Sequence, residues 1–281
     1  MAKSTSKFIK IPLLFISFVF LAVVTQIGGL VFLVCLPIWT YLRSKIKNKI
    51  LGVLSQIFVA LLFYMVCTLC IVPPLARLGG RVPLPIYGTL LQPRNIGFCL
   101  LNRHYVKPQL KTLAIKVAQQ LQQQYPGTVL LYLDAGFPFV DGFPLIPHLS
   151  HNDGKKLDLA FFYRSQLTQK ASNTTPSFIG YGICEKPLPT EQNYAAQCTQ
   201  KGYWQYSWLE NVVPQARKKL FVVDETRTKT MIQAFSEQIA VEKLFLEPHL
   251  KKRWQLDTYP KIRLHGCRAV RHDDHLHVQI K

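Results

Sequence analysis

The chain ends with "RHDDHLHVQIK", residues 271–281, and this stretch holds three of the eight histidines in the sequence. Leu276, Val278 and Ile280 alternate with polar residues, and a period of two predicts a half-buried β-strand. His275 and His277 then lie on the same face of that strand, where they can act as metal ligands or as acid and base groups. The alternative is a solvated polar tail whose histidines have no role.

A second polar cluster lies upstream in "PHLSHNDGKKLDLAFFY", residues 147–163. Residues 152–154 predict a turn, and residues 157–162 predict a largely buried strand. Asp158 interrupts that strand, and a buried carboxylate is costly unless it is paired or binds a metal. His151, Asp158 and His277 together offer two nitrogens and one oxygen, which is the ligand chemistry of a catalytic zinc site. We therefore predict one bound Zn²⁺.

The order and spacing of these residues resemble the LAS-type zinc metallopeptidases, and most of all the penicillin-insensitive murein endopeptidases. In that pattern an aspartate follows the first ligand by seven positions, and a histidine-any-histidine pair comes much later. One further histidine precedes the first ligand by three positions, and another precedes the last ligand by five. The resemblance covers about residues 90–281, and the residues that carry it are His148, His151, Asp158, His272, His275 and His277.

The resemblance implies an α+β fold with an antiparallel sheet, as in LAS and hedgehog-like domains. His151, Asp158 and His277 would hold the zinc, and a water molecule would take the fourth position. No H-E-x-x-H motif supplies a glutamate base. His275 is therefore the expected catalytic base or oxyanion group, and His148 and His272 would line the site beside it. The alternative for these last two is that they are ordinary surface histidines.

The implied activity is hydrolysis of amide bonds in peptidoglycan peptides, by an enzyme of the murein endopeptidase or carboxypeptidase type. A second interpretation keeps the fold and the zinc but not the catalysis. In that case the domain is a binding module for the cell wall or for a protein partner. The complete ligand set together with His275 favours the enzyme.

The N-terminal region predicts a membrane anchor. Residues 11–42 and 50–76 are strongly apolar, and each stretch exceeds the roughly 20 residues that cross a bilayer. The first stretch is too long for a cleavable signal peptide, so we expect it to be retained. It spans the membrane once, or it bends at Gly28-Gly29 into a hairpin. The basic turn at residues 43–49 favours the cytoplasmic side of the inner membrane and predicts a periplasmic C-terminal domain.

Proline and glycine mark residues 77–89 as a linker, which leaves residues 90–281 for one zinc peptidase-like domain. Within this domain, residues 107–125 predict an amphipathic helix that ends before Pro126-Gly127. Asp224 has the character of an N-cap for a second helix that reaches about residue 239. Residues 128–134 and 243–246 predict strands.

Charge and cysteine content add expectations about partners and disulfides. The first 76 residues contain seven of the 34 Lys and Arg residues and none of the 15 acidic ones, which leaves 27 cationic against 15 acidic residues in the remainder. This surplus favours anionic wall polymers or lipid headgroups as partners, and no nucleic-acid-binding motif is present. Four cysteines follow residue 76, which permits two disulfides. We expect Cys184 to pair with Cys198, with reduced, buried thiols as the alternative.

Overall fold

The computed structural model describes the backbone of residues 2–281 and the side chains of residues 11–281. In chain order the α-helices are α1 Ala2–Thr25, α2 Gly28–Lys45, α3 Lys49–Val66, α4 Val72–Leu78, α5 Ile96–Leu100, α6 Pro108–Gln124, α7 Tyr194–Gln200, α8 Trp208–Val212, α9 Glu225–Ser236 and α10 Pro248–Arg253. The strands are β1 Val82–Pro83, β2 Leu91–Pro93, β3 Tyr105–Val106, β4 Leu130–Tyr132, β5 Lys156–Ala160, β6 Tyr163–Ser165, β7 Ala171–Ser172, β8 Phe221–Val223, β9 Val241–Phe245, β10 Ile262–Arg263 and β11 His275–Ile280.

A six-stranded sheet in the order β10-β9-β11-β5-β4-β2 organises the C-terminal part of the chain. Its inner pairs are antiparallel, whereas the outer pairs β10/β9 and β4/β2 are parallel. Leu276, Val278 and Ile280 of β11 are buried in one core with the apolar sides of α6 and α9. The predicted α+β class is confirmed. The solvated-tail alternative is wrong, because the end of the chain is a central strand of the sheet.

The predicted elements of the domain are present with shifted ends. The helix predicted for residues 107–125 is α6, which begins at Pro108, where a missing N–H is tolerated. Asp224 is the N-cap of α9, and its side chain accepts a hydrogen bond from the Arg227 N–H at 3.2 Å. The strands predicted for residues 128–134 and 243–246 correspond to β4 and β9.

The first apolar stretch forms two helices that pack against each other. Gln26, between α1 and α2, has a φ of 65° and ends the first helix. A Cβ atom at Gly29 would lie 2.9 Å from the carbonyl oxygen of Phe18, so the close approach of the two helices requires glycine there. Of the two alternatives for residues 11–42, the structure has the helical hairpin.

The second apolar stretch is a continuous helical segment of 30 residues from Lys49 to Leu78. Among the described residues it is the one helix long and apolar enough to cross a membrane, judged by length and composition. A π-helical turn at Cys67–Ile71 precedes Pro73 and Pro74, which lack the N–H groups of a regular ladder. The helix therefore extends two residues into the predicted linker, and β1 within that linker pairs with β3.

The expected disulfide is wrong. Cys198 of α7 is bonded to Cys267 in the loop before β11, with their Cα atoms 5.2 Å apart. Cys184 and Cys99 are free and buried, so the reduced-thiol alternative holds for these two. The prediction paired Cys198 with Cys184 because the two are close in sequence. The fold instead brings Cys267, 69 residues away in sequence, next to α7.

Candidate metal centre

Two neighbouring strands supply the first half of the site. Asp158 of β5 lies directly opposite His277 of β11 in an antiparallel register, on the face of the sheet that points away from α6 and α9. The two side chains are almost fully buried, and Asp158 Oδ1 is 2.8 Å from His277 Nδ1. Their separation is set by the strand pairing itself, because directly opposed residues have adjacent Cβ atoms.

The loop between β4 and β5 supplies the second half. His151 Nδ1 lies 2.7 Å from the carbonyl oxygen of Ala135 and donates to it, which leaves Nε2 free to bind a metal. That Nε2 atom is 3.1 Å from His277 Nδ1 and 3.2 Å from Asp158 Oδ1. The loop thus brings the third predicted ligand onto the pair from the strands.

The three ligand atoms form a nearly equilateral triangle in a buried position, and the residues His151, Asp158 and His277 can hold a metal ion. Tetrahedral zinc, with bonds of about 2.0–2.1 Å, has its ligands roughly 3.4 Å apart, so a small expansion of this triangle would accommodate it. Two imidazoles and one carboxylate are also the donors that suit zinc. The residues therefore fit the expected ion.

The other three histidines of the sequence pattern surround this triangle. His148 and His272 are only 5% and 3% exposed, so the surface-histidine alternative is wrong for both. His275 is equally buried, and its Nε2 lies 3.7 Å from Asp158 Oδ2. Nε2 of His148 and Nε2 of His275 are buried without a hydrogen-bond partner, so both are free to contact a water or a substrate.

Sequence reasoning missed the groups that orient these histidines. His148 Nδ1 lies 2.8 Å from Asp134 Oδ2, and the other oxygen of Asp134 accepts from Arg103 Nε at 2.6 Å. His275 Nδ1 donates to Asp274. Each carboxylate fixes the tautomer and ring orientation of its histidine, as the outer partners of metal-site histidines do. Asp274 was visible beside the terminal motif, whereas nothing local marks Asp134 or Arg103.

A tyrosine contributes to the centre from the loop that follows β7. The Tyr181 hydroxyl donates to Asp158 Oδ2 at 2.7 Å and accepts from the Asp134 N–H at 3.1 Å. Burial, together with the two carboxylates, raises the pKa of Tyr181 well above its usual range, so the phenol stays protonated. One Asp158 oxygen is therefore held by a neutral donor while the other faces the histidines.

The protonation states suit a metal site. Burial raises the pKa of Asp158, but the neighbouring imidazoles outweigh burial and hold this pKa well below its usual range. Burial lowers the pKa of His277 to about 4, which keeps the imidazole neutral. For His275, burial lowers the pKa, and the carboxylates of Asp158 and Asp274 outweigh this effect and raise it. Asp158 is thus an anion and His277 a neutral imidazole, the forms that bind a cation, and the carboxylates beside His275 stabilise a proton that this ring accepts.

The centre opens into a cleft of about 310 Å³. Its lining includes Trp208, Gln205, Arg268 and His265. A second, mostly apolar pocket of about 250 Å³ lies on the other side of Pro147 and His148, between α5 and Ile179. The site therefore has a polar, basic cleft and an apolar pocket that share His148 as a boundary.

Comparison with known proteins adds no assignment. No protein-family model matches the chain, and no curated protein matches it.

Proposed function

We propose that the protein is a membrane-anchored zinc metallopeptidase that hydrolyses amide bonds in peptidoglycan peptides. The observation that carries the proposal is the convergence of His151, Asp158 and His277 on one buried point, beside which His275 and His148 each have a buried Nε2 atom without a hydrogen-bond partner. A structural zinc site needs a closed set of four protein ligands. Here three ligands leave a position open, which is the arrangement of a catalytic site.

A bound zinc ion would supply a water molecule of lowered pKa and an electrophile for the peptide carbonyl group. The residues of the chain move the protons. His275 Nε2 accepts a proton from the attacking water, since Nδ1 of the same ring donates to Asp274. The same Nε2 atom can return this proton to the leaving amine. Asp274 stabilises the imidazolium between these steps, because it is a buried carboxylate in direct contact with it.

The remaining groups bind and orient the substrate. His148 presents its free Nε2 to the reacting region, with its ring fixed by Asp134. His272 forms part of the cleft wall, and Arg268 offers a cation for a substrate carboxylate. Stem peptides of peptidoglycan carry carboxylates and amide bonds, so they match both the charge of this cleft and its chemistry.

For localisation we propose the inner membrane, with the C-terminal domain on the periplasmic side. The hairpin of α1 and α2 supports this, because its turn contacts the domain through a 2.8 Å hydrogen bond from the Phe139 N–H to Gln26 Oε1. The basic N-terminal segment and the basic turn at residues 43–49 then share the opposite side, as the positive-inside rule requires. At 18 residues, α2 is about 27 Å long, close to the hydrocarbon thickness of a bilayer.

The proposal is tested with the purified full-length protein and peptidoglycan peptides. Wild-type protein should cleave an amide bond, lose this activity to a chelator and regain it with zinc. His275→Ala should retain its zinc and lower the hydrolysis rate on the order of 10²-fold or more, the scale of a general base or oxyanion group. Gln279→Ala is the matched control, since Gln279 lies on the same strand face and bonds to Glu242 at the surface.

The binding-module interpretation predicts a different pattern. In that case the wild-type protein binds zinc but cleaves no wall peptide, and His275→Ala binds wall material as well as wild type does. This result would overturn the proposed activity and leave the metal centre intact.

A further inference from the structure

The loop that carries the two site histidines lies against the anchor. The side chain of Phe139 packs with apolar residues of α2 and α4, and its N–H donates to Gln26 at the turn of the helical hairpin. On the neighbouring segment, the Tyr64 hydroxyl of α3 donates to the carbonyl oxygen of Leu100 in α5 at 2.6 Å. Residues 138–150 and α5 are therefore among the parts of the domain that adjoin the ends of the helices.

These two segments expose a cluster of aliphatic side chains. Ile146 and Leu149, on either side of Pro147 and His148, are 58% and 59% exposed. The two segments adjoin, because Phe98 of α5 and Pro147 of the loop line the same pocket. Their exposed aliphatic side chains are Val140, Ile146, Leu149, Ile96 and Leu100. Exposed apolar residues that occur singly need no explanation, but a contiguous patch marks an interaction surface.

The charge of this patch differs from that of the rest of the domain. Residues 138–150 contain one charged residue, Asp141, and its carboxylate is paired with the buried guanidinium of Arg81. The domain as a whole has a large cationic surplus. A surface that binds an anionic polymer would carry some of the excess Lys and Arg side chains. A surface that contacts acyl chains would lack charged side chains.

We propose that residues 138–150 and α5 form an interfacial surface that inserts into the outer boundary of the bilayer crossed by the anchor. We choose the bilayer as the partner of this surface because the surface begins at the residues that contact the ends of the membrane helices. The inference rests on the anchoring part of the proposed function.

Site-directed spin labelling of the full chain in vesicles of phosphatidylethanolamine and phosphatidylglycerol tests this surface. Ile146→Cys and Leu149→Cys receive a water-soluble nitroxide reagent, and Leu167→Cys serves as the control. Leu167 is 92% exposed and lies in the turn between β6 and β7, on a different sheet. All variants also carry Cys67→Ser and Cys70→Ser, because Cys70 is exposed and Cys67 half-buried, whereas the other free cysteines are buried. The readout compares collisions with oxygen, which concentrates in lipid, and with a nickel chelate, which stays in water.

We expect labels at Ile146 and Leu149 to favour oxygen, and the label at Leu167 to favour the nickel chelate. Preference for the nickel chelate at all three positions would overturn the proposal. Labels at Ile146 and Leu149 that neither reagent reaches would also overturn it, because protein and not lipid would then cover the patch. The measurement needs neither metal nor hydrolysis, so its failure is distinguishable from failure of the proposed activity.

Discussion

The two halves of the metal centre are held in different ways. Asp158 and His277 lie on central strands of the six-stranded sheet, where each strand is hydrogen-bonded on both sides. His148 and His151 lie on an irregular loop whose backbone has no strand partner. That loop is fixed by the guanidinium of Arg81, which donates to Asp141 and to the carbonyl oxygens of Phe137 and Asn152.

This difference shows where the site depends on the rest of the chain. The positions of Asp158 and His277 follow from sheet pairing and require only the C-terminal domain. The loop half depends on Arg81, which follows α4 by three residues, and on Gln26 in the turn between α1 and α2. Removing the helices α1 to α4 should therefore disturb His148 and His151 first, while leaving Asp158 and His277 in place.

The largest expected effect comes from removing one ligand from either half. Zinc affinities of about 10–16 kcal/mol, shared among four ligands, amount to roughly 2.5–4 kcal/mol for each. Asp158→Ala and His151→Ala should therefore each weaken zinc binding by about 10²- to 10³-fold in a competition titration. Asp153→Ala is the control, since that carboxylate pairs with Lys156 at the start of β5. If only Asp158→Ala lost the metal, the loop would not belong to the centre.

The second prediction concerns the stability of the strand half. A buried acid, Glu247, supports the residues that lead into β11. Glu247 Oε1 accepts from the Tyr206 hydroxyl and from the His272 N–H, while Oε2 has no partner. Burial and the nearby Asp273 carboxylate, only partly offset by Arg271, raise the pKa of Glu247 from 4.5 to about 7.

The sign of the resulting pH dependence follows from this raised pKa. The folded state binds the Glu247 proton more tightly than the unfolded state does, so the contribution of this group to stability is fully present below pH 4.5 and is lost as the pH rises to about 7. The loss from this group is on the order of 3 kcal/mol. Glu247→Gln should remove that part of the decline in stability, as measured by thermal unfolding at a series of pH values. A variant with the same slope as wild type between these pH values would contradict the assignment.

The smallest of the three effects concerns the loop half. Arg81→Ala removes every contact that the guanidinium makes with the loop, so His151 should lose its fixed position without losing its chemistry. We expect zinc affinity to fall by about 10- to 100-fold, the range for supporting residues outside the ligand set. Arg94→Ala is the matched control, because Arg94 donates to Thr175 at 2.6 Å and does not contact the loop. Equal affinities in the two variants would remove the distinction between the halves.

The strand half was predictable from sequence, and the loop half only in part. Alternation along residues 275–280 and the anomalous Asp158 each mark a strand face, and pairing the two strands is enough to bring His277 to Asp158. The supporting residues Asp134, Arg103 and Arg81 carry no local signal, since their partners lie 14 or more residues away. The same reason explains the wrong disulfide, whose true partners are 69 residues apart.

The most direct test of the metal centre is X-ray absorption spectroscopy at the zinc edge on the stoichiometric zinc complex of the full-length protein. Two imidazole nitrogens, one carboxylate oxygen and one water oxygen, all at about 2.0–2.2 Å, are the predicted ligands. A sulfur ligand at about 2.3 Å would instead indicate a thiolate of the free cysteines. That result, or a coordination shell with no imidazole, would contradict the assignment of His151, Asp158 and His277.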